Sequence, residues 1–207
     1  NVGRVLLSEF GSDIKNEARA YAAAASDARM SGCELPVVIV TGSGNQGITA
    51  SVPVIRYAKH IGASDERLYR ALLVSDLVTI HQKTGIGRLS AYCGAVSAGC
   101  GAGAGIAYLL GGDYRAIAHT IVNAVAILSG TICDGAKPSC AAKIASAVEA
   151  GILGYYMYVN DQQFRGGDGI VAKGVENTIR NVGLLASQGM KQTDRVILNI
   201  MTGDQCL

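Results

Sequence analysis

The chain has 207 residues, of which 49% are hydrophobic and 16% charged, and its formal net charge is +2. It is long enough to bury a sizeable core, and six cysteines in so apolar a chain do not make a disulfide-stapled mini-domain. With no signal peptide, they indicate reduced thiols and a cytoplasmic protein. A near-neutral charge, without a lysine–arginine run or an aromatic platform, argues against nucleic-acid binding.

The residue pattern predicts a mainly α-helical fold: a compact helical domain with Gly-rich loops and few or no strands. A β-branched run at residues 37–40 has strand propensity, although a buried extended segment leading into a loop is an equal alternative. The next segment, residues 41–47, is rich in turn residues. In chain order, the predicted helices are 12–30, 48–61, 65–83, two within 90–133, 138–158, 173–188 and 193–201. Residues 48–61 are expected to be helical after Pro53, and Gly111-Gly112 divides the two helices within 90–133. Pro138 is expected in the first turn of the helix at 138–158.

Residues 90–133 contain only two charges, Asp113 and Arg115. The uncharged part, 90–110, is long enough to span a bilayer. It contains few Leu, Ile, Val or Phe residues, however, and it lacks a flanking basic cluster and an aromatic belt. Small-residue helices packed at the centre of a soluble protein are therefore the preferred interpretation, and no membrane partner is expected.

Residues 1–207 are expected to form one helical domain. The chain begins at Asn1 rather than Met and opens directly into helical sequence. We therefore expect a C-terminal fragment of a longer chain whose N-terminal region is missing. That region is an expected partner, and a homodimer is left open.

Three cysteines lie widely spaced in nearly charge-free sequence. Cys93 follows Leu-Ser-Ala-Tyr, and further on Cys133 and Cys140 bracket Asp-Gly-Ala-Lys-Pro-Ser. This spacing favours a [4Fe–4S] cluster with one iron left open, whereas structural zinc usually takes C-x2-C-type pairs that the sequence lacks. The alternative is inert buried thiols, which is the preferred interpretation of Cys33 and Cys100. Cys100 stays a reserve ligand because it lies on roughly the same helix face as Cys93.

The segment at residues 41–47 matches Gly-x-Gly-x-x-Gly, a pattern typical of dinucleotide binding. Pro53 disrupts the helix that this motif requires, and no alternating strand–helix pattern follows. Free N–H groups and polar side chains suit a small carboxylate instead, and the plain alternative is a structural turn. The candidate substrate-binding residues are Ser43, Gly44, Asn45, Gln46 and Gly47.

His81 and Lys83 end the helix predicted over 65–83, shortly before Cys93. They are candidate catalytic residues, as a general base or a charge clamp. Solvated residues at a helix C-terminus are the alternative for both. His119 lies in an apolar helix, where a structural histidine is more common than a catalyst.

These segments resemble a known family. Thr41-Gly-Ser-Gly-Asn-Gln-Gly47, Gly87-Arg-Leu-Ser-Ala-Tyr-Cys-Gly94 and Cys133-Asp-Gly-Ala-Lys-Pro-Ser-Cys140 are similar to the alpha domain of iron–sulfur L-serine dehydratases. The L-cysteine desulfidase-like group of bacteria and archaea is the most similar branch, and the similarity covers about residues 37–201. The resemblance implies an all-helical catalytic domain in which three cysteines hold a [4Fe–4S] cluster.

By this resemblance, Cys93, Cys133 and Cys140 are the cluster ligands, and residues 43–47 cradle the substrate carboxylate. The implied reaction eliminates hydrogen sulfide from L-cysteine or water from L-serine and gives pyruvate and ammonia without pyridoxal phosphate. Cys206, the penultimate residue, is either a cap on the open iron or an incidental cysteine in a disordered tail. The competing function is a non-catalytic amino-acid-binding or sensor domain with the same fold.

Overall fold

The computed structural model describes residues 1–203. The prediction of a mainly α-helical fold is confirmed, because this range forms nine α-helices and no strand, with only two isolated β-bridges. A π-helical segment, Leu185–Gly189, precedes the last helix. The helices are α1 (Val2–Phe10), α2 (Ile14–Met30), α3 (Gly44–His60), α4 (Asp65–Ile86), α5 (Gly94–Leu109), α6 (Tyr114–Leu128), α7 (Cys140–Val159), α8 (Val175–Leu184) and α9 (Lys191–Thr202).

Local sequence signals start several helices where the pattern predicted them. The side chains of Asp13, Ser64 and Asp113 cap α2, α4 and α6 by accepting a hydrogen bond from a backbone N–H in the first turn. The break predicted at Gly111-Gly112 is confirmed, and it separates α5 from α6. Pro138 lies just before α7 rather than inside its first turn.

The prediction for residues 37–47 is wrong in two respects. Residues 37–40 form no strand, and Val38 and Ile39 are exposed, so the buried extended alternative also fails except at Val40. Helix α3 begins at Gly44, inside the predicted loop, and it continues through Pro53. Proline removes one backbone donor from a helix, but dense burial of the first half of α3 keeps the helix intact.

Helix α5 lies at the centre and is built from small residues because its neighbours approach its backbone directly. A Cβ on Gly103 would lie 2.6 Å from the carbonyl oxygen of Gly151 in α7. A Cβ on Gly105 would lie 2.8 Å from the carbonyl oxygen of Ala71 in α4. Such contacts leave no room for larger side chains. No helix within residues 1–203 is long and apolar enough to cross a membrane.

These contacts also fix the helix directions. Gly99 meets Ala147 and Gly103 meets Gly151, so α5 and α7 run parallel. Helix α3 runs the same way, since Gly94 meets Gln46 and Gly105 meets Val54. Helices α2 and α4 run in the opposite direction beside them. The N-termini of α3, α5 and α7 therefore meet the C-termini of α2 and α4 at one end of the bundle.

Candidate functional site

A cleft of about 490 Å³ opens where these three helix N-termini meet. Each N-terminus contributes a roughly half-unit positive partial charge. In none of the three does a side-chain oxygen bond the first amides. The site is thus suited to anions. The cleft is lined by Thr41, Gly42, Ser43, Asn45, Gln46, Arg88, Leu89, Cys93, Gly94, Ala95, Cys133, Gly135, Ala136, Cys140, Lys143 and Ile144.

All three cysteines singled out in the sequence line this one cleft, and the backbone fixes two of them together. Cys93 N–H donates to the Thr131 carbonyl at 3.1 Å, and Cys133 N–H donates to the Ala91 carbonyl at 2.6 Å. These bonds flank an isolated antiparallel bridge between Tyr92 and Ile132. Residues far apart in sequence are therefore held as neighbours.

Cys140 is the first residue of α7, so it lies at a helix N-terminus, as the helix predicted over 138–158 implies. Its Sγ accepts a hydrogen bond from Lys137 N–H at 3.4 Å and donates one to the Gly135 carbonyl at 3.5 Å. The turn between Cys133 and Cys140 thus wraps around this sulfur and directs a backbone amide at it.

Lys143, one helical turn after Cys140 in α7, bonds both residues that flank Cys133 in the sequence. Its Nζ bonds the Ile132 carbonyl at 3.2 Å and Asp134 Oδ1 at 2.5 Å. Burial is the largest influence on Lys143 and opposes its charge, but the hydrogen bond and charge of Asp134, together with the nearby Cys93 and Cys140 sulfurs, outweigh burial and raise the lysine pKa. The same bond lowers the pKa of Asp134, so both groups are charged near neutral pH.

The donor set of the cleft is chemically compatible with an iron–sulfur cluster. Within the described residues, no three His, Cys, Asp or Glu side chains converge as the ligands of one ion. Each thiolate of a [4Fe–4S] cluster bonds a different iron, so its ligands do not converge on one point. Three thiols, free helix-terminal amides and the Lys143 cation in one cleft all suit an anionic cluster.

Burial raises the pKa of the Cys93 thiol. The Ala95 backbone amide and Lys143 oppose this shift, whereas Cys133 and Cys140 reinforce it. The free thiol therefore holds its proton more tightly than an exposed cysteine. Metal binding at Cys93 would release that proton.

The candidate substrate loop forms the opposite wall. Asn45 and Gln46 are each 7% exposed and line the cleft, in the first turn of α3. Thr41 has a φ of 51°, a strained value for a β-branched residue, and its hydroxyl donates to Gln46 Oε1. Gly47 is explained by packing, because its Cβ position is filled by the Val38 carbonyl. Gly44 is likewise restricted, by the Arg29 guanidinium.

Lys83 is buried rather than solvated, contrary to the plain alternative for this residue. It is 6% exposed and lines a second cavity that shares Thr41 and Arg88 with the cleft. No other described residue forms a hydrogen bond or ion pair with its side chain. Burial lowers the pKa of Lys83, an effect that the Cys133 and Cys93 sulfurs partly oppose.

The other residues singled out lie elsewhere. His81 is on the surface, where Nε2 lies 2.8 Å from Glu176 Oε2, and it does not line the cleft. His119 stacks on Tyr158 with ring centroids 5.1 Å apart. Cys33 is exposed, so its expected burial is wrong, whereas Cys100 is buried and burial raises its pKa to about 12. Cys206 lies outside the described residues.

Sequence reasoning missed Lys143, Arg29, Arg88 and Leu89. Lys143 carried a usable signal, because it lies one helical turn after Cys140 on the same face. Arg29 belongs to α2 and reaches the loop only through tertiary packing. No local pattern pointed to it.

The fold and the cleft define a helical domain with a thiol-lined site at three helix N-termini. The family model for the serine dehydratase alpha chain matches residues 1–199. The chain therefore belongs to the serine dehydratase alpha chain family. No solved structure matches it.

Curated relatives are similar over nearly the whole chain. A UPF0597 protein of Desulfitobacterium hafniense is 69% identical over 206 residues, which are 100% of this chain and 48% of the relative. UPF0597 proteins of Lachnoclostridium phytofermentans and Finegoldia magna are 56% and 54% identical, each over 97% of this chain and 48% of the relative. The chain thus spans about half the length of these relatives, whose shared name describes no activity.

Proposed function

We propose that this chain is the catalytic domain of an iron–sulfur-dependent lyase that eliminates hydrogen sulfide from L-cysteine or water from L-serine. One observation carries the proposal: the three thiols, from two segments far apart in the sequence, line the same cleft as the amide-rich start of α3. Family membership agrees with a lyase of this kind. The product would be pyruvate with ammonia.

In this proposal, Cys93, Cys133 and Cys140 hold the [4Fe–4S] cluster, and Lys143 fixes the segment around Cys133. When bound, the cluster would supply a Lewis-acidic iron that draws electron density from the β-substituent. The first turn of α3 binds the substrate carboxylate through N–H groups.

Lys83 is the proposed general base, in preference to His81. Its lowered pKa increases the fraction of neutral amine, which can accept the proton from Cα. The electron pair of that C–H bond forms the Cα–Cβ double bond. The β-substituent leaves with its bonding pair and takes up a proton, and the resulting enamine tautomerises and hydrolyses to pyruvate and ammonia.

The test uses the protein at its full natural length, purified without oxygen beside a Cys133→Ala variant. Iron and acid-labile sulfide are measured first, and release of pyruvate and hydrogen sulfide from cysteine or serine second. About four of each per chain, lost in the variant, together with turnover would support the proposal. An intact cluster without turnover would favour a non-catalytic amino-acid-binding domain, and absence of iron would refute the cluster assignment.

A further inference from the structure

The candidate substrate loop, residues 43–47, is contacted by an arginine from a different helix. Arg29, in the last turn of α2, is half-buried and donates from Nη1 to Asn45 Oδ1 at 3.1 Å. Its guanidinium also covers Gly44, where a Cβ would lie 2.8 Å from Arg29 Nε. Two independent contacts thus place this cation against the back of the loop.

The chemistry of the guanidinium fixes the orientation of the Asn45 amide. Arginine has five N–H donors and no acceptor, so only the oxygen of an amide can face it. The NH2 group of Asn45 must then be the free end. Asn45 is more than nine-tenths buried, and no residue of the described range accepts a bond from its Nδ2.

Gln46 is arranged in the same way. Its Oε1 accepts from the Thr41 hydroxyl, and its Nε2 packs on Gly94, where a Cβ would lie 2.5 Å away. The acceptor oxygens of both amides are therefore occupied by donors of the chain itself. A ligand in the cleft therefore meets the NH2 group of Asn45 and the first amides of α3, while the NH2 group of Gln46 lies against Gly94.

We propose that Arg29 is a positioning residue that holds Asn45 with its NH2 toward the cleft, so that the loop selects the carboxylate of an amino acid. This inference rests on the proposed function for the identity of the substrate. Within residues 1–203, no carboxylate pairs with the Arg29 guanidinium. Its charge therefore also strengthens the loop's attraction for an anion from behind.

The experiment measures binding of L-alanine, which has the amino-acid frame but no β-leaving group. It uses calorimetry on the cluster-loaded, full-length protein. Arg29→Met should weaken binding about tenfold to hundredfold, the loss expected when a charge-assisted donor is misplaced. Arg29→Lys, which keeps a cation and only donors, should recover part of the loss. Arg67→Met is the matched control, because it removes a guanidinium that bonds the Leu109 carbonyl away from the cleft, and it should leave binding unchanged.

Asn45→Asp separates orientation from packing. The new carboxylate still accepts from Arg29, so the fold should be kept, but it turns the inward donor into an acceptor. In Asn45→Asp, the affinity for L-alanine should fall at least as far as in Arg29→Met. The double variant Arg29→Met/Asn45→Ala should lose no more affinity than the weaker-binding of the two single variants, Arg29→Met and Asn45→Ala. Normal binding by Asn45→Asp, additive losses, or no binding by the wild type would each overturn the proposal. Binding without turnover of cysteine or serine would refute the lyase while leaving this inference intact.

Discussion

Replacing Lys83 by methionine should stabilise the protein while removing the proposed lyase activity. The side chain is 6% exposed, and no described residue pairs with it. A buried polar group without a partner costs about 1–3 kcal/mol, and more if it is charged. Methionine keeps the apolar stem and removes the ammonium group. The free energy of unfolding of the apo protein should therefore rise by about 1–3 kcal/mol at neutral pH.

The stability gained by Lys83→Met should decrease as the pH rises. Burial lowers the pKa of Lys83 in the folded chain, whereas unfolded lysine titrates near 10.4. Between these two values the unfolded state binds more protons, so the contribution of Lys83 to stability improves as pH rises through this window. The advantage of Lys83→Met should shrink accordingly. Comparing the two proteins at each pH cancels other groups, such as the tyrosines.

Urea unfolding, followed by helical circular dichroism at several pH values, measures this difference. Lys59→Met is the matched control, because Lys59 is an exposed lysine near the end of α3, and it should change stability by less than about 0.5 kcal/mol. In the loaded enzyme, Lys83→Met should lower kcat about 10²- to 10⁴-fold if Lys83 is the base. Destabilisation by Lys83→Met, or a gain that does not change with pH, would refute the buried-charge reasoning.

Three further outcomes are expected. If the chain holds the proposed cluster, Cys93→Ala should abolish iron and sulfide binding. Cys100→Ala, within α5 and outside the cleft, should retain both in an iron assay. Gly101→Ala should lower the free energy of unfolding by about 1–3 kcal/mol in urea, because its Cβ would overlap Thr79 and Ser75. Gly130→Ala is the control: its Cβ would lie in open space, and stability should change by less than about 1 kcal/mol. Lys143→Met should hasten cluster loss under a chelator, since it frees both neighbours of Cys133; an unchanged loss rate would contradict this positioning role.

Much of the helical order was predictable because its signals are local. Caps, the Gly111-Gly112 break and apolar periodicity gave bounds within a few residues for most helices. The start of α3 was missed because a Gly-rich segment is typical of a loop. In the structure Gly44 and Gly47 lie in the helix, and they are glycines because Arg29 and Val38 leave no room for a Cβ there. The π-helical segment at the end of α8 left no local signal at all.

The sequence also indicated which cysteines matter but not how they meet. Wide spacing and apolar surroundings selected Cys93, Cys133 and Cys140. Their proximity depends on a β-bridge and on helix directions, which are tertiary facts. The burial of Lys83 was likewise unpredictable, because a lysine near a helix C-terminus is usually solvated.

The order in which the cleft residues occur along the chain bears on how the protein is made. The cleft needs the start of α3, the bridge between the Cys93 and Cys133 segments, and Lys143 in α7. A ribosome must therefore complete more than two-thirds of this chain before the three thiols can be neighbours. A cofactor that binds only the folded form stabilises it by mass action. If the proposed cluster is correct, the supply of iron would set how long each newly made molecule survives, and not only how fast it works.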